Sequence, residues 1–233
     1  MKEGFIYTGP NTAQISFPLG GIGSGCIGLA GNGLLIDWEI RNHPDKRTYN
    51  NYSGFLVRAY EDDRLVSARV LAGDLMPPYT GEPRRGESYH SGFGFGPLEK
   101  SFAGFPHFSS CTFKGEFPVA ELRFEDGDFP GIVTMKAWNP MIPLNDRDSS
   151  IPAALFDITV ENTGERELEY TVCLVAGSLF GRKDSLNTSG ARRLESGKEL
   201  RFVKMGTDTI PESDIEYGDV TLATDAETVS TQC

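Results

Sequence analysis

The strongest constraint in this sequence is alternation of period two. In "AALFDITVENTGERELEYTVCLVAG" (Ala153 to Gly177), Leu155, Asp157 and Thr159 fall on one face of an extended chain, and Phe156, Ile158 and Val160 on the other. Asn162-Thr163-Gly164 then turns the chain. On the expected return strand Leu168, Tyr170, Val172 and Leu174 alternate with Glu169, Thr171 and Cys173. "SGFLVRAYEDDRLVSARVL" (Ser53 to Leu71) reads as strand, turn at Glu61-Asp62-Asp63, and strand. "VAELRFEDGDFPGIVTMKAWNP" (Val119 to Pro140) repeats the scheme around Asp126-Gly127, and "LLIDWEI" (Leu34 to Ile40) is strand-like. No window sustains a helical period. The 27 glycines and 14 prolines are spread through the chain as punctuation. The pattern predicts an all-β chain: an antiparallel β-sandwich of two stacked sheets.

One segment breaks the scheme. Pro77 to Phe108, "PPYTGEPRRGESYHSGFGFGPLEKSFAGFPHF", is rich in glycine, proline and aromatics and too long for an ordinary connection. Phe93, Phe95, Phe102, Phe105 and Phe108 carry apolar rings that seek burial. Either this loop packs on its own sandwich or it packs on something outside the chain.

"PLGGIGSGCIG" (Pro18 to Gly28) contains G-x-G-x-x-G, the pattern of a dinucleotide-binding loop. That use requires a helix to start inside it. Here Gly31-Asn32-Gly33 follows, and Asn-Gly is a hairpin signal. Two further glycines in a helix would each cost about 1 kcal/mol relative to alanine. The glycines Gly20, Gly21, Gly23 and Gly25 are therefore expected where backbones approach closely. Ser24 does not fit a nucleophile elbow, because no helix follows it.

Net charge excludes other classes. With 22 basic and 33 acidic residues the chain carries −11, which argues against nucleic acid and anionic membranes as partners. No apolar run is long enough to span a bilayer, so no transmembrane segment is expected. "MKEGFIYTGPN" lacks the apolar stretch of a secretory signal, which points to the cytoplasm, and the triplets at Asn51 and Asn187 then carry little weight. Cys26, Cys111, Cys173 and Cys233 form no C-x-x-C pair, and His43, His90 and His107 have no metal spacing. Neither metal nor cofactor is expected.

Two stretches hold candidate chemistry. In "DWEIRNHPDK", Asp37 and Glu39 should face one side of a strand and Trp38 the other. Trp38 is a candidate sugar platform or a core residue, and Arg41 and His43 are candidates for holding a partner's carboxylate. In "NPMIPLNDRDSSIP" (Asn139 to Pro152), Asp146 and Asp148 with Ser149 and Ser150 form either a polar cluster at a cleft or a set of turn caps.

"FPLGGIGSGCIG", "LLIDWEIRNHP" and "MIPLNDRDSSIPAALFDITVENTG", in that order, resemble the N-terminal domain of glycoside hydrolase family 116, the non-lysosomal glucosylceramidases and bacterial β-glucosidases. The resemblance runs from Phe17 to the end of the chain. It implies that residues 1–233 are one N-terminal β-sandwich, stopping before a C-terminal (α/α)6 domain. It also implies retaining hydrolysis of β-glucosides or glucosylceramide-like substrates by carboxylates in that helical domain, so no catalytic residue is assigned here. The partner would be that catalytic domain of the same polypeptide, and Phe95 and Phe105 are expected at the interface with it. Two other readings remain open: a free-standing carbohydrate-binding module, and a domain whose ligand is another protein.

Overall fold

The period-two segments fold as antiparallel ladders. The computed structural model describes residues 5–40, 43–46, 48–77, 97, 99–180 and 186–232, which divide into two units, Met1–Ala176 and Gly177–Cys233. In chain order, the first unit begins with β1 (Phe5–Thr8), β2 (Ser16–Leu19), β3 (Cys26–Ala30), β4 (Leu35–Glu39), β5 (Gly54–Glu61) and β6 (Arg64–Val70). It continues with β7 (Ser110–Glu116), β8 (Val119–Glu125), β9 (Ile132–Trp138), the one-turn helix α1 (Asp146–Ser149), β10 (Leu155–Glu161) and β11 (Glu169–Val175).

The sheets are antiparallel, with orders β1-β7-β8-β9-β10, β11-β5-β6 and β2-β3-β4. The β8–β9 pairing shows why alternation dictates register. Leu122 lies opposite Met135 and Ala120 opposite Ala137, all buried. On the other face Glu121 lies opposite Lys136, with the charges 3.6 Å apart. A one-residue slip would put every one of these groups on the wrong side. Burying a side chain the size of Leu122 or Phe124 contributes about 1.5–3 kcal/mol.

The five-stranded sheet and β11-β5-β6 stack as the expected sandwich. Phe55 of β5 meets Phe156 of β10 with ring centroids 4.9 Å apart, and Phe129 meets Tyr170 of β11 at 6.3 Å. The Tyr170 hydroxyl donates to the Pro130 carbonyl. The guanidinium of Arg69 pairs with Asp126 at 3.2 Å between the layers. The β2-β3-β4 sheet packs alongside, with Phe17 against Phe113 at 6.3 Å. Asn32-Gly33 forms the expected β3–β4 hairpin, and Gly33, at φ +96, leaves room for the Phe124 ring.

One sequence expectation needs correction. Ala153 to Gly177 does contain two strands, but they do not pair with each other. β10 joins β9, while β11 joins β5 in the opposite layer. The Asn162 carboxamide accepts from the Gly164 N–H at 3.0 Å and donates to the Arg166 carbonyl at 2.7 Å. This shapes the connection as a wide loop rather than a tight hairpin. That span suffices to cross the roughly 10 Å between stacked sheets.

The second unit is a three-stranded antiparallel sheet of β12 (Leu186–Arg193), β13 (Glu199–Gly206) and β14 (Asp219–Thr224), in that order. No described helix is long and apolar enough to cross a membrane.

Candidate functional site

Asn139, at the end of β9, ties together segments far apart in the chain. Its side chain donates to the Pro18 carbonyl at 2.8 Å and accepts from the Gly20 N–H at 2.6 Å. Its own backbone N–H donates to the Pro118 carbonyl at 3.1 Å. The residue is buried, so all three bonds form away from water. Next to it, the glycine-rich loop lies directly on the segment after α1. A Cβ on Gly21 would come within 2.5 Å of the Ser150 and Ile151 carbonyl oxygens. The Ile22 N–H donates to the Ser149 carbonyl at 2.9 Å. A Cβ on Gly20 would strike the Gly25 carbonyl, and Gly25, at φ +89, would meet the Glu39 carbonyl at 2.9 Å. Gly23 adopts φ +71 with open space around it. The chain after this loop enters β3, so the geometry of a phosphate-cradling loop is not formed.

The neighbouring α1 loop is held by its own polar side chains. Asn145 caps the helix, accepting from the Asp148 N–H at 3.1 Å while its amide donates to the Asp148 carboxylate at 2.7 Å. Asp146 is exposed and accepts from the Arg147 N–H at 3.0 Å. The Ser149 hydroxyl donates to the Ile142 carbonyl at 3.0 Å and accepts from the Ile142 N–H at 2.9 Å. Asn145 is thus the cap, the Asp148 carboxylate is held by its amide, and the Asp146 carboxylate bonds only the next backbone N–H. Among the described residues no three His, Cys, Asp or Glu side chains are grouped as metal ligands. At the tip, Leu144 adopts φ +65, a conformation that costs an L-residue about 1–2 kcal/mol, and its side chain is fully exposed at 108%.

The β3–β4 ladder departs from simple alternation, while Asp37 and Glu39 meet the same Lys46 ammonium. The register shifts between Cys26 and Gly28, Asp37 adopts φ +49, and both Asp37 and Trp38 are buried. The Ser16 hydroxyl donates to Asp37 at 2.8 Å, and the Lys46 ammonium lies 3.7 Å from Asp37 and 2.5 Å from Glu39. Burial and the Glu39 carboxylate push the Cys26 thiol pKa up. The Trp38 indole is inside, not presented as a sugar platform, and its Nε1 finds no partner among the described residues. His43 is exposed beyond the strand, with its backbone N–H donating to the Ile40 carbonyl at 3.2 Å. Arg41 lies outside the described residues.

Of the aromatic segment, Phe95 likewise lies outside the described residues, as does Phe93. Phe102 and Phe108 are buried on the domain's own sandwich, with Phe108 against Phe124 at 5.7 Å. Phe105 is half exposed and clusters with Phe102 at 5.9 Å and Tyr52 at 6.4 Å. Beside it, an open cleft of about 400 Å³ is lined by Leu34, Val70, Leu75 and Phe102, with Asp74 and His107 at its edge. The His107 Nε2 lies 2.7 Å from Asp74 and its Nδ1 2.9 Å from the Phe105 carbonyl. Sequence reasoning missed Asn139, Leu144 and the Asp74–His107 pair. The only signal for the first two was their place in a stretch bracketed by prolines.

The junction joins "PLGGIG" to "NDRDSSIP", the segments that carried the sequence resemblance. No curated protein matches the chain. A family model described as beta-glucosidase 2, glycosyl-hydrolase family 116 N-term, matches residues 16–233. The chain therefore belongs to the family of glycoside hydrolase family 116 N-terminal domains.

Proposed function

We propose that this chain is the accessory N-terminal domain of a retaining β-glucosidase or glucosylceramidase-like enzyme of the cytoplasm. It packs on a catalytic domain of the same polypeptide and helps to shape that domain's site. The family match over residues 16–233 carries this reading. The carboxylates support it. Retaining hydrolysis needs two carboxyl groups about 5–5.5 Å apart, flanking the substrate in a cleft. Asp37 and Glu39 share Lys46, Asp126 holds Arg69, and the Asp148 carboxylate accepts from the Asn145 amide. These groups hold the fold. β-Glucosides would be turned over through the partner domain.

The test uses an aryl β-glucoside with the 233-residue chain and with the full polypeptide. The chain alone should give no turnover, and the full polypeptide should hydrolyse the substrate with retained configuration. Turnover by the chain alone would overturn the reading. Saturable binding of cellobiose by the chain alone would favour a carbohydrate-binding module instead.

A further inference from the structure

We infer that the apolar face formed by Ile22, Met141, Ile142, Leu144 and Ile151 is where the rest of the β-glucosidase polypeptide docks, with Leu144 as its anchor. The inference rests on the accessory-domain reading above and adds to it a location.

All five side chains are exposed although they are large and apolar. Bonds among their segments gather them in one region of the surface. Ile22 reaches Ser149, Ser149 holds Ile142 from both sides, and the Asn145 N–H donates to the Ile142 carbonyl at 3.0 Å. Gly21 lies against Ile151. Large apolar side chains exposed together in one region mark an interaction site, unlike apolar residues scattered singly over an ordinary surface. Leu144 sets it apart from other exposed residues of the domain. The loop holds it in a left-handed conformation that leucine disfavours, and the side chain gains no burial within the chain in return. Capping by Asn145 and stiffening by Pro140 and Pro143 fix the loop before any partner arrives, which lowers the entropic cost of association. Exposed Asp146 and Arg147 beside the patch supply the polar rim of such an interface.

The occupant follows from charge and connectivity. A second copy of the chain would bring another −11 against the first, which opposes self-association. A domain tethered in the same polypeptide is present at high effective concentration. The family model describes the chain as the N-terminal part of a β-glucosidase, so the tethered neighbour is the remainder of that enzyme.

The experiment places photoreactive p-benzoylphenylalanine at position 144, 65 or 5 of the full polypeptide, in separate proteins. Leu65 and Phe5 are exposed on β6 and β1 and serve as comparison sites. The expected result is a cross-link from position 144 to a peptide beyond residue 233. A cross-link from position 144 only to a second copy, or none at all, overturns the inference. If position 5 or 65 then links beyond residue 233, the accessory-domain reading survives and only the location is wrong. If no position does, that reading fails with it. Should the position-144 protein not fold, hydrogen exchange on the unsubstituted proteins decides. Amides of residues 141–151 should exchange about tenfold more slowly in the full polypeptide than in the 233-residue chain, and equal rates overturn the inference.

Discussion

At the scale of single residues, Gly21 and Gly23 make opposed predictions from one loop. Gly21→Ala puts a methyl within 2.5 Å of backbone oxygens that cannot rotate away. The loss should be about 3 kcal/mol, lowering Tm by about 6–12 °C in a chain of this size. Gly23→Ala meets open space and suffers only its positive φ, so about 1 kcal/mol is expected. Thermal unfolding of both variants checks this, and equal losses would mean that the contact with the α1 segment is not the constraint. His107 carries a pH prediction. Burial pushes its pKa down, but the Phe105 carbonyl and Asp74 carboxylate outweigh that and hold the imidazole above its usual value. Both ring nitrogens face oxygen acceptors, and only the imidazolium donates to both. Asp126 also favours the charged form from further off, while Asp126 itself is paired with Arg69. Because the folded pKa is raised, the stabilisation is complete below the unfolded value of about 6.5 and fades as pH rises through the folded one. The Tm penalty of Asp74→Asn should therefore be larger at pH 5.5 than at pH 9. An NMR titration should show His107 losing its proton at lower pH in that variant.

At the scale of elements, local signals read correctly wherever two strands are joined by a short turn. Asp62 at φ +52 and the Asp126-Gly127 corner sit where the sequence placed them, because turn chemistry and alternation act within a few residues. The same signals failed at Asn162-Thr163-Gly164. Nothing local tells β11 that its partner is β5, more than 100 residues earlier, rather than β10. The register shift opposite Asp37 was also hidden, since alternation assumes an unbroken ladder. The link between the two layers gives the test at this scale. Arg69 and Asp126 are mostly buried, and Asp126→Ala would leave the guanidinium there without its counter-charge, bonded only to the Ser67 hydroxyl and the Ala68 carbonyl. A loss of about 3 kcal/mol is expected in urea unfolding. Arg69→Met combined with Asp126→Ala should recover most of it, because the stranded charge is then gone. If the double variant is as unstable as the single one, the cost lies in the lost Asp126–Asp128 turn bond rather than in the ion pair.

At the scale of the whole molecule, the all-β class was legible while the junction was not. Asn139 bonds to Gly20 across 119 positions of sequence, and no periodicity reports such a contact. Only the order of "PLGGIG" and "NDRDSSIP", read as a family resemblance, hinted that the two stretches belong together. The division into two units yields the last prediction. Every ladder of β1 to β11 closes within Met1–Ala176, and the core residues of the sandwich, from Leu19 to Met135, lie there too. A fragment of residues 1–176 should therefore unfold in a single cooperative transition. The second unit offers much less. All eight residues of β12 are exposed, and Met205 and Gly206 are the only buried residues of its ladders. Val203, Met205, Val220 and Leu222 share one face, but only Met205 is buried, and three strands that bury so little apolar surface are marginal in water. Residues 177–233 alone should therefore show no cooperative thermal transition by circular dichroism. If they melt cooperatively while 1–176 does not, stability is distributed the other way, and the sandwich depends on the segment that follows it.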